Sequence, residues 1–314
     1  MKRKLTMSKS PTIQEAFQQF QQFNRVKNLS DATIGFYEQY YANFVAFYGD
    51  DSQLISSLDQ ATVDDYTLDL RQRKELSGTS VNIHLRALRV FLYFCMERNY
   101  IDSFKIRQMK VNQPVKEPYT NEELTLILKK PNLKDCSFAQ YRNWVLVNFL
   151  LGTGCRASTL VNVKIEDLHF TDGFIVFWHT KNRTQQIVPL SKSLTQILLE
   201  YLQYRGDAAD EYLFITSRSS KMRVDSLVQA VAKHNRSRGV EKTSLHLFRH
   251  TYAKLYITAG GDPFRLQKLL GHSDLTMTKR YVALYADDLK QNYDRMNPLE
   301  QMSQSRPDKG KMRL

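Results

Sequence analysis

A short stretch of the sequence combines histidines, an arginine and a tyrosine at spacings that suit phosphoryl chemistry. His246 and Arg249 are three residues apart, His272 follows a glycine, and Tyr281 comes nine residues after that histidine. Positions i and i+3 of a helix lie on one face, so His246 and Arg249 can hold one phosphate together. A guanidinium presents a charged fork to phosphate oxygens, and a phenol can act as an oxygen nucleophile. The stretch therefore predicts a site that binds a phosphate and attacks it.

Each of these residues also has a simpler interpretation. A histidine and an arginine in H-x-x-R spacing are often an exposed pair on a helix, and Tyr281 suits a half-buried structural tyrosine. His250 suits a structural histidine with its hydrogen bonds satisfied, and His272 after Gly271 suits the start of a helix. It is the joint pattern, in this order, that favours chemistry.

Two further cations stand at places where a loop meets a helix or a strand. Arg156 follows a glycine-rich turn and precedes a short helix, so it should lie near helix N-terminal amides, a natural anion site. Lys181 lies in the turn between two predicted strands, where most lysines are simply solvated.

Composition favours a polyanionic partner. The 314 residues carry a net charge of +13, and binding to phosphates releases counterions. A membrane surface is the lesser alternative, since no helix opposes a lysine-rich face to an aromatic one. We expect a cytoplasmic protein, because no apolar run reaches about 18 residues and the basic N-terminus lacks an apolar core. Cys95, Cys136 and Cys155 are predicted to be buried free thiols.

The N-terminal part reads as four amphipathic helices with aromatic stripes. The first should begin with Ser10 as N-cap and Pro11 in its first turn, and the second with Ser30 as N-cap. The third is predicted over residues 62–73 and the fourth from about Ser80. Short connections predict a compact all-α domain over residues 10–103.

Basic side chains cluster on the fourth helix and the loop before it. They form either a DNA-facing surface or a solvated face. Residues 104–118 carry Pro114 and Pro118 without a helical period and read as an extended interdomain linker, whose cations can follow a phosphate backbone. The candidate DNA-binding residues are Arg71, Arg73, Lys74, His84, Arg86, Arg89, Lys105, Arg107 and Lys110.

The rest of the chain is predicted to be a second domain over residues 119–299. Thr120 opens a helix with a capping box, and a long apolar helix over residues 138–151 ends at a glycine turn. Residues 168–190 read as a small three-stranded antiparallel sheet, and residues 235–239 as a basic loop. Residues 300–314 read as a disordered basic tail.

The order Arg156, Lys181, His246-x-x-Arg249, His272, Tyr281 resembles the tyrosine recombinase (phage integrase) family, in layout its Xer-like and transposon integrases. The motifs T-G-C-R, V-P-L seven residues after the lysine, H-L-F-R-H, L-L-G-H and T-x-x-Y occur in register. The resemblance implies a mainly α fold. An N-terminal four-helix, SAM-like DNA-binding domain would precede an α-rich catalytic domain with a small three-stranded antiparallel sheet.

The resemblance also implies roles. Tyr281 would attack the scissile phosphate and form a 3′-phosphotyrosyl link, while Arg156 and Arg249 clamp that phosphate. His246 and His272 would hydrogen-bond it, His246 exchanging a proton with Tyr281, and Lys181 would be the general acid. No metal or cofactor is required, which agrees with the lack of a P-loop or a two-metal acidic cluster.

One position departs from the family pattern. An acidic residue usually stands three positions after the first arginine and buttresses it, whereas this chain has Thr159. A hydroxyl supplies no charge, so either Glu166 or Asp167 takes over or Arg156 is held more loosely.

The resemblance further implies partners. These are double-stranded DNA recombination sites, a homo-tetramer assembled on DNA from monomers or weak oligomers, and an accessory DNA-bending protein. A C-terminal helix would dock into a neighbour through Leu289, Tyr293 and Met296, or else fold back on its own domain. The function implied is a site-specific recombinase, such as a mobile-element integrase. The alternatives are a type IB topoisomerase and a catalytically weak DNA-binding relative.

Overall fold

The computed structural model describes residues 10–72, 74–111, 117–180, 184–206 and 210–272, together with Lys279 and Tyr281. The chain divides into two compact units, Met1–Val115 and Lys116–Leu314. No helix in the described part is both long enough and apolar enough to cross a bilayer.

The first unit contains the four predicted helices. They are α1 (Ile13–Val26), α2 (Asp31–Tyr48), α3 (Gln60–Gln72) and α4 (Gly78–Glu97), with a 3₁₀ turn at Ile55–Ser57. Their apolar faces meet in an aromatic core in which Phe20, Phe44 and Tyr66 are fully buried. The periodicity of apolar residues thus predicted these helices correctly, because each must bury one stripe.

The predicted start of the first helix is wrong. Thr12, not Ser10, is the N-cap, and Pro11 precedes the helix. The Thr12 hydroxyl accepts a hydrogen bond from the Glu15 amide at 3.1 Å, and the Glu15 carboxylate accepts one from the Thr12 amide at 2.8 Å. A reciprocal capping box satisfies two backbone amides at once, so it stabilises a helix start more than a single serine N-cap does.

The segment after α4 is irregular but packed. Residues 104–111 form neither helix nor strand. The side-chain amide of Asn82 on α4 donates to the Met109 carbonyl and accepts from the Met109 amide, at 2.9 and 2.8 Å. Ile106 is buried in the core of the first unit. The beginning of the predicted linker is therefore anchored on this unit.

The second unit is built around the long apolar helix. Its helices are α5 (Asn121–Leu128), α6 (Phe138–Thr153), α7 (Ala157–Leu160), α8 (Lys192–Arg205), α9 (Val224–Ser237), α10 (Leu245–Thr258) and α11 (Pro263–Leu270). Helix α6 is buried along most of its length, and Val145, Leu146 and Phe149 are inaccessible to solvent. It ends at Gly154, whose φ of 61° is left-handed. Such a turn favours glycine, and the Gly154 amide closes it by donating to the Leu150 carbonyl.

The predicted sheet is present. Strands β1 (Leu168–His169), β2 (Phe174–Phe177) and β3 (Gln186–Pro189) form an antiparallel sheet in the order β1-β2-β3. Phe177 pairs with Gln186 at the end of the second ladder. Together the helices and the sheet confirm the predicted mainly α fold.

The loop predicted at residues 235–239 is wrong in its first half, because α9 continues to Ser237. Asn235 is completely buried, and its side-chain amide donates to the Tyr119 hydroxyl at 2.9 Å and to the Lys242 carbonyl at 2.7 Å. These tertiary hydrogen bonds hold a residue that by itself favours turns. All three cysteines are free thiols. Cys95 and Cys155 are buried as predicted, whereas Cys136 is partly exposed.

Candidate active site

Helix α10 carries three of the residues that converge here. His246, Arg249 and His250 occupy positions i, i+3 and i+4 of its first two turns. The two imidazole rings lie edge to face, with centroids 4.6 Å apart. Arg249 is 3% exposed. A buried cation needs satisfied hydrogen bonds, so its surroundings decide its role.

Two helix ends hold the Arg249 guanidinium. Nη1 donates to the Gly154 carbonyl, which caps α6, at 3.0 Å, and Nη2 donates to the Leu270 carbonyl at the end of α11 at 2.7 Å. The carbonyl oxygens at a helix C-terminus lack intrahelical partners and carry partial negative charge. They therefore fix this arginine without a carboxylate.

Arg156 reaches the same helix end from another side. It is the N-cap of α7, is partly buried, and its Nη2 lies 3.5 Å from the Gly271 carbonyl. Burial, and secondarily the nearby charge of Arg156, lower the pKa of Arg249 to about 10. Burial also lowers the pKa of Arg156. The two cations thus share a partly desolvated site, where an anion would relieve their repulsion.

The position that departs from the family pattern, Thr159, is buried on α7. The two acids considered as substitutes contact Lys164 instead. Glu166 pairs with its ammonium at 3.3 Å, and Asp167 accepts a hydrogen bond from its backbone amide at 2.8 Å. In the described part of the chain, the hydrogen-bond acceptor of Arg156 is the Gly271 carbonyl rather than a carboxylate. The prediction that another acid takes over is therefore not supported by these contacts.

His272 follows the C-cap of α11, and residues 273–278 of the helix expected to start there lie outside the described residues. Gly271 caps α11 with a left-handed φ of 60°, and the His272 amide donates back to the Gln267 carbonyl at 3.1 Å. A glycine after a run of apolar helical residues ends a helix more often than it opens one. His272 is held immediately beyond the carbonyls that bind the two arginines.

Tyr281 joins this group as a buried residue. It is helical and 3% exposed, and its hydroxyl lies 2.9 Å from His250 Nδ1. Its ring is nearly parallel to that of His272, at 10° and a centroid distance of 6.4 Å. Ala253, Leu266 and Leu270 complete the apolar pocket around it. Tyr281 is thus a buried tyrosine rather than a half-buried one, with its oxygen directed to a histidine.

His250 is the site residue that sequence reasoning assigned to a structural role. The sequence favours a satisfied structural histidine at this position, whereas its Nδ1 contacts the candidate nucleophile. The available signal was its position four residues after His246, which places the two on one face of the helix.

Comparison with known proteins identifies the family. Residues 118–287 match the phage integrase family, and residues 17–102 match the phage integrase N-terminal SAM-like domain. The chain belongs to the phage integrase family. The tyrosine recombinase XerA of Pyrococcus furiosus is 30% identical over 73% of this chain and 78% of its own length. The chain is therefore an enzyme of the tyrosine recombinase type, a family whose activity is site-specific recombination.

Solved integrase structures share the fold. The Tn1549 transposon integrase, in complex with a circular intermediate DNA, has a TM-score of 0.72 and 21% identity over 91% of this chain and 99% of that one. A lambda integrase tetramer bound to a Holliday junction has a TM-score of 0.67 and 15% identity over 87% of this chain and 78% of that one. These similarities give no support to the topoisomerase alternative.

Several predicted residues of this integrase lie outside the described residues: Arg73, Lys181, Leu289, Tyr293 and Met296. In the described part, no three His, Cys, Asp or Glu side chains are grouped so that they could hold a metal ion.

Most of the candidate DNA-binding residues are exposed on the first unit: Arg71, Lys74, Arg86, Lys105, Arg107 and Lys110, with Arg89 partly exposed. His84 differs from them. Its Nδ1 lies 2.9 Å from the Tyr66 hydroxyl, and its ring lies edge-on to Tyr40. Burial, and then the charge of Lys74, lowers the pKa of His84. A neutral imidazole can donate one hydrogen bond to DNA but brings no charge to a phosphate.

Proposed function

We propose that this integrase cuts and rejoins DNA at specific sites through a 3′-phosphotyrosyl intermediate, with Tyr281 as the nucleophile. The observation that carries the proposal is the hydrogen bond between the Tyr281 hydroxyl and His250, beside an arginine pair that has no carboxylate partner in the described part. A phenol oxygen, a proton acceptor and two cations are the groups that attack on a phosphodiester requires.

The step balances without a cofactor. The Tyr281 oxygen forms a bond to phosphorus, the bond from phosphorus to the 5′-oxygen breaks, and the phenolic proton passes to an imidazole. Arg156 and Arg249 stabilise the charge that grows on the non-bridging oxygens, an effect worth about 10²–10³ in rate for one donor. His246 and His272 supply further hydrogen bonds to these oxygens. Religation reverses the step with a new 5′-hydroxyl.

Lys181 completes the proposal as the general acid for the departing 5′-oxygen. Its support is its place in the sequence, five residues before the start of β3. Protonation of an alkoxide leaving group contributes about 10²–10⁴ in rate.

The DNA partner of the proposed reaction would be a double-stranded recombination site. Support comes from the exposed cations of the first unit and the net charge of +13. We further propose a homo-tetramer on DNA in which Leu289, Tyr293 and Met296 dock into a neighbour, with an accessory protein that bends DNA. The lambda integrase tetramer on a Holliday junction supports this arrangement by similarity of fold.

Covalent trapping tests the proposal. The protein is incubated with supercoiled plasmid carrying the DNA that flanks its own gene, denatured with detergent, and the attached DNA ends are sequenced. Wild type should attach to a 3′-phosphate at a defined position, and Tyr281→Phe should abolish attachment while leaving binding intact. Tyr252→Phe, a matched change at a tyrosine of α10, should attach normally. Adducts that persist in Tyr281→Phe would identify another nucleophile.

The same plasmid separates the proposal from the alternatives. A type IB topoisomerase would relax it wherever it cuts and would produce no exchanged products. A protein that only binds DNA would give no adduct at all. Exchange between two copies of the mapped site is the outcome expected here.

A further inference from the structure

The C-terminal turn of α11 is a junction of three other elements. Its consecutive carbonyl oxygens, on Leu269, Leu270 and Gly271, each accept a side-chain hydrogen bond. The donors are Gln186 Nε2 from β3, Arg249 Nη2 from α10 at 2.7 Å, and Arg156 Nη2 from the start of α7 at 3.5 Å.

Two of these three donors belong to the proposed phosphate clamp, and the third does not. The last carbonyls of a helix need outside donors, and their partial negative charge attracts cations. Gln186 is neutral and occupies the carbonyl next to the one that holds Arg249. It therefore fixes the place of the turn without competing for the phosphate.

The fit of Gln186 against this turn is close. A Cβ added to Gly271 would lie 2.6 Å from Gln186 Oε1, a distance that real Cβ atoms do not adopt. Gln186 is in turn fixed by the sheet, since it pairs with Phe177, which is buried in the core. The end of α11 is thereby tied to a rigid part of the second unit.

We propose that Gln186 is a positioning residue of the integrase: it holds the end of α11 so that the Leu270 and Gly271 carbonyls set the spacing of Arg249 and Arg156. This role rests on the proposed function. In the proposed reaction Gln186 contacts neither the phosphate nor Tyr281, and it acts only through Arg249 and Arg156. A displacement of about 1 Å at such a site can cost about 10²-fold in rate.

Gln186→Met is the first variant, because it keeps the length of the side chain and removes the amide donor. We expect adduct formation to slow by about 10- to 100-fold on a duplex built from the mapped cut site. Gln185→Met is the matched control. Gln185 is exposed and immediately precedes β3. It should react at the wild-type rate.

Two modified duplexes identify the group through which Gln186 acts. A methylphosphonate at the cut site lacks the negative charge that the arginines neutralise. The difference in the rate of adduct formation between Gln186→Met and wild type should therefore be smaller on this duplex. A bridging 5′-phosphorothiolate supplies a leaving group that needs no acid. On this duplex the difference in rate between the variant and wild type should be unchanged.

Each outcome decides the question. A difference in rate that disappears on the methylphosphonate alone supports the proposal. Three results overturn it: a difference that is equal on all duplexes, a difference that disappears only on the phosphorothiolate, and a Gln186→Met rate equal to that of wild type. Gln186→Leu, which also lacks the donor and adds no charge, replaces the Met variant if thermal unfolding shows that the Met variant is not folded. Wild type without any adduct would overturn the proposed function and this role together, whereas reactive wild type with an unimpaired variant overturns this role alone.

Discussion

The contact between Tyr281 and His250 joins the candidate nucleophile to a titratable group on α10. The tyrosine is buried at 3% exposure, so solvent does not orient its hydroxyl. The hydrogen bond of 2.9 Å and the edge-to-face ring contact at 5.5 Å do so instead. A nucleophile held in one orientation loses less entropy when it reacts.

We predict that His250→Phe slows adduct formation by about tenfold or more, since a hydrogen bond is worth about 1 kcal/mol and a proton acceptor considerably more. His250→Asn carries an amide close to the position of Nδ1 and should retain more activity at neutral pH than the Phe variant. The measurement is the rate of covalent trapping on the mapped site. Equal rates for Phe and Asn would show that the hydrogen bond is irrelevant, and thermal unfolding of both variants controls for folding.

The arginine pair has a defined sign of pH dependence. The folded-state pKa of Arg249, about 10, lies below the usual range of an arginine because of burial. Its charged form therefore costs stability below pH 10. That cost begins to fall as the pH rises through the folded pKa and is gone above the pKa of the unfolded chain, because between the two values only the unfolded chain holds the proton. At neutral pH both arginines stay charged, and DNA phosphate is the natural compensation.

At the scale of the element, the end of α11 supplies hydrogen-bond acceptors for the two arginines. The family pattern has an acidic residue at position 159 that buttresses the first of them. Gly271 allows the left-handed turn and the close approach of Gln186, and the carbonyls beside it bind the two arginines. A backbone oxygen contributed by another helix thus binds Arg156, three residues before Thr159, where the family pattern has an acid.

Gly271→Ala tests this reading. A left-handed φ costs a non-glycine residue about 1–2 kcal/mol, and here the new methyl would also meet Gln186. Gly239→Ala is the matched control, since Gly239 follows α9 with a φ of 76° and open space around it. Both variants should lose free energy of unfolding, Gly271→Ala the more, and only Gly271→Ala should slow adduct formation. Similar losses of activity in both would contradict the role given to this turn.

Elements with a strong local signal could be predicted from the sequence. The stripe of Val63, Tyr66 and Leu70 placed α3, and the capping box at Thr120 placed the start of α5. The predictions that were wrong concern residues whose conformation depends on tertiary contacts. Asn235 is held in α9 by Tyr119, which lies 116 residues away in sequence, and no local pattern contains that partner. Likewise, the motif spacing identified Arg156 and Arg249, but the carbonyls that hold them appear only once α6 and α11 are packed.

At the scale of the whole molecule, the net charge favours binding to a polyanion. The chain has a net charge of +13, and the cations of the first unit are mostly exposed rather than paired in its core. Because such contacts release counterions, affinity for duplex DNA should fall by about 10³-fold or more between 50 and 200 mM salt if at least six phosphates are bound. This dependence belongs to binding and not to the covalent step.

Charge reversal on the first unit separates specific phosphate contacts from net charge. Arg86→Glu on α4 should weaken duplex binding and reduce the slope of log affinity against log salt by about 1. Arg25→Glu removes the same charge from an exposed position in the last turn of α1 and should change the slope little. Fluorescence anisotropy over a salt series measures both. At saturating protein, Arg86→Glu should form the Tyr281 adduct at the wild-type rate, because Arg86 is not among the residues that converge on Tyr281. If the two variants lost affinity equally, the attraction to DNA would come from the overall charge, and a specific contact between α4 and a phosphate would be contradicted.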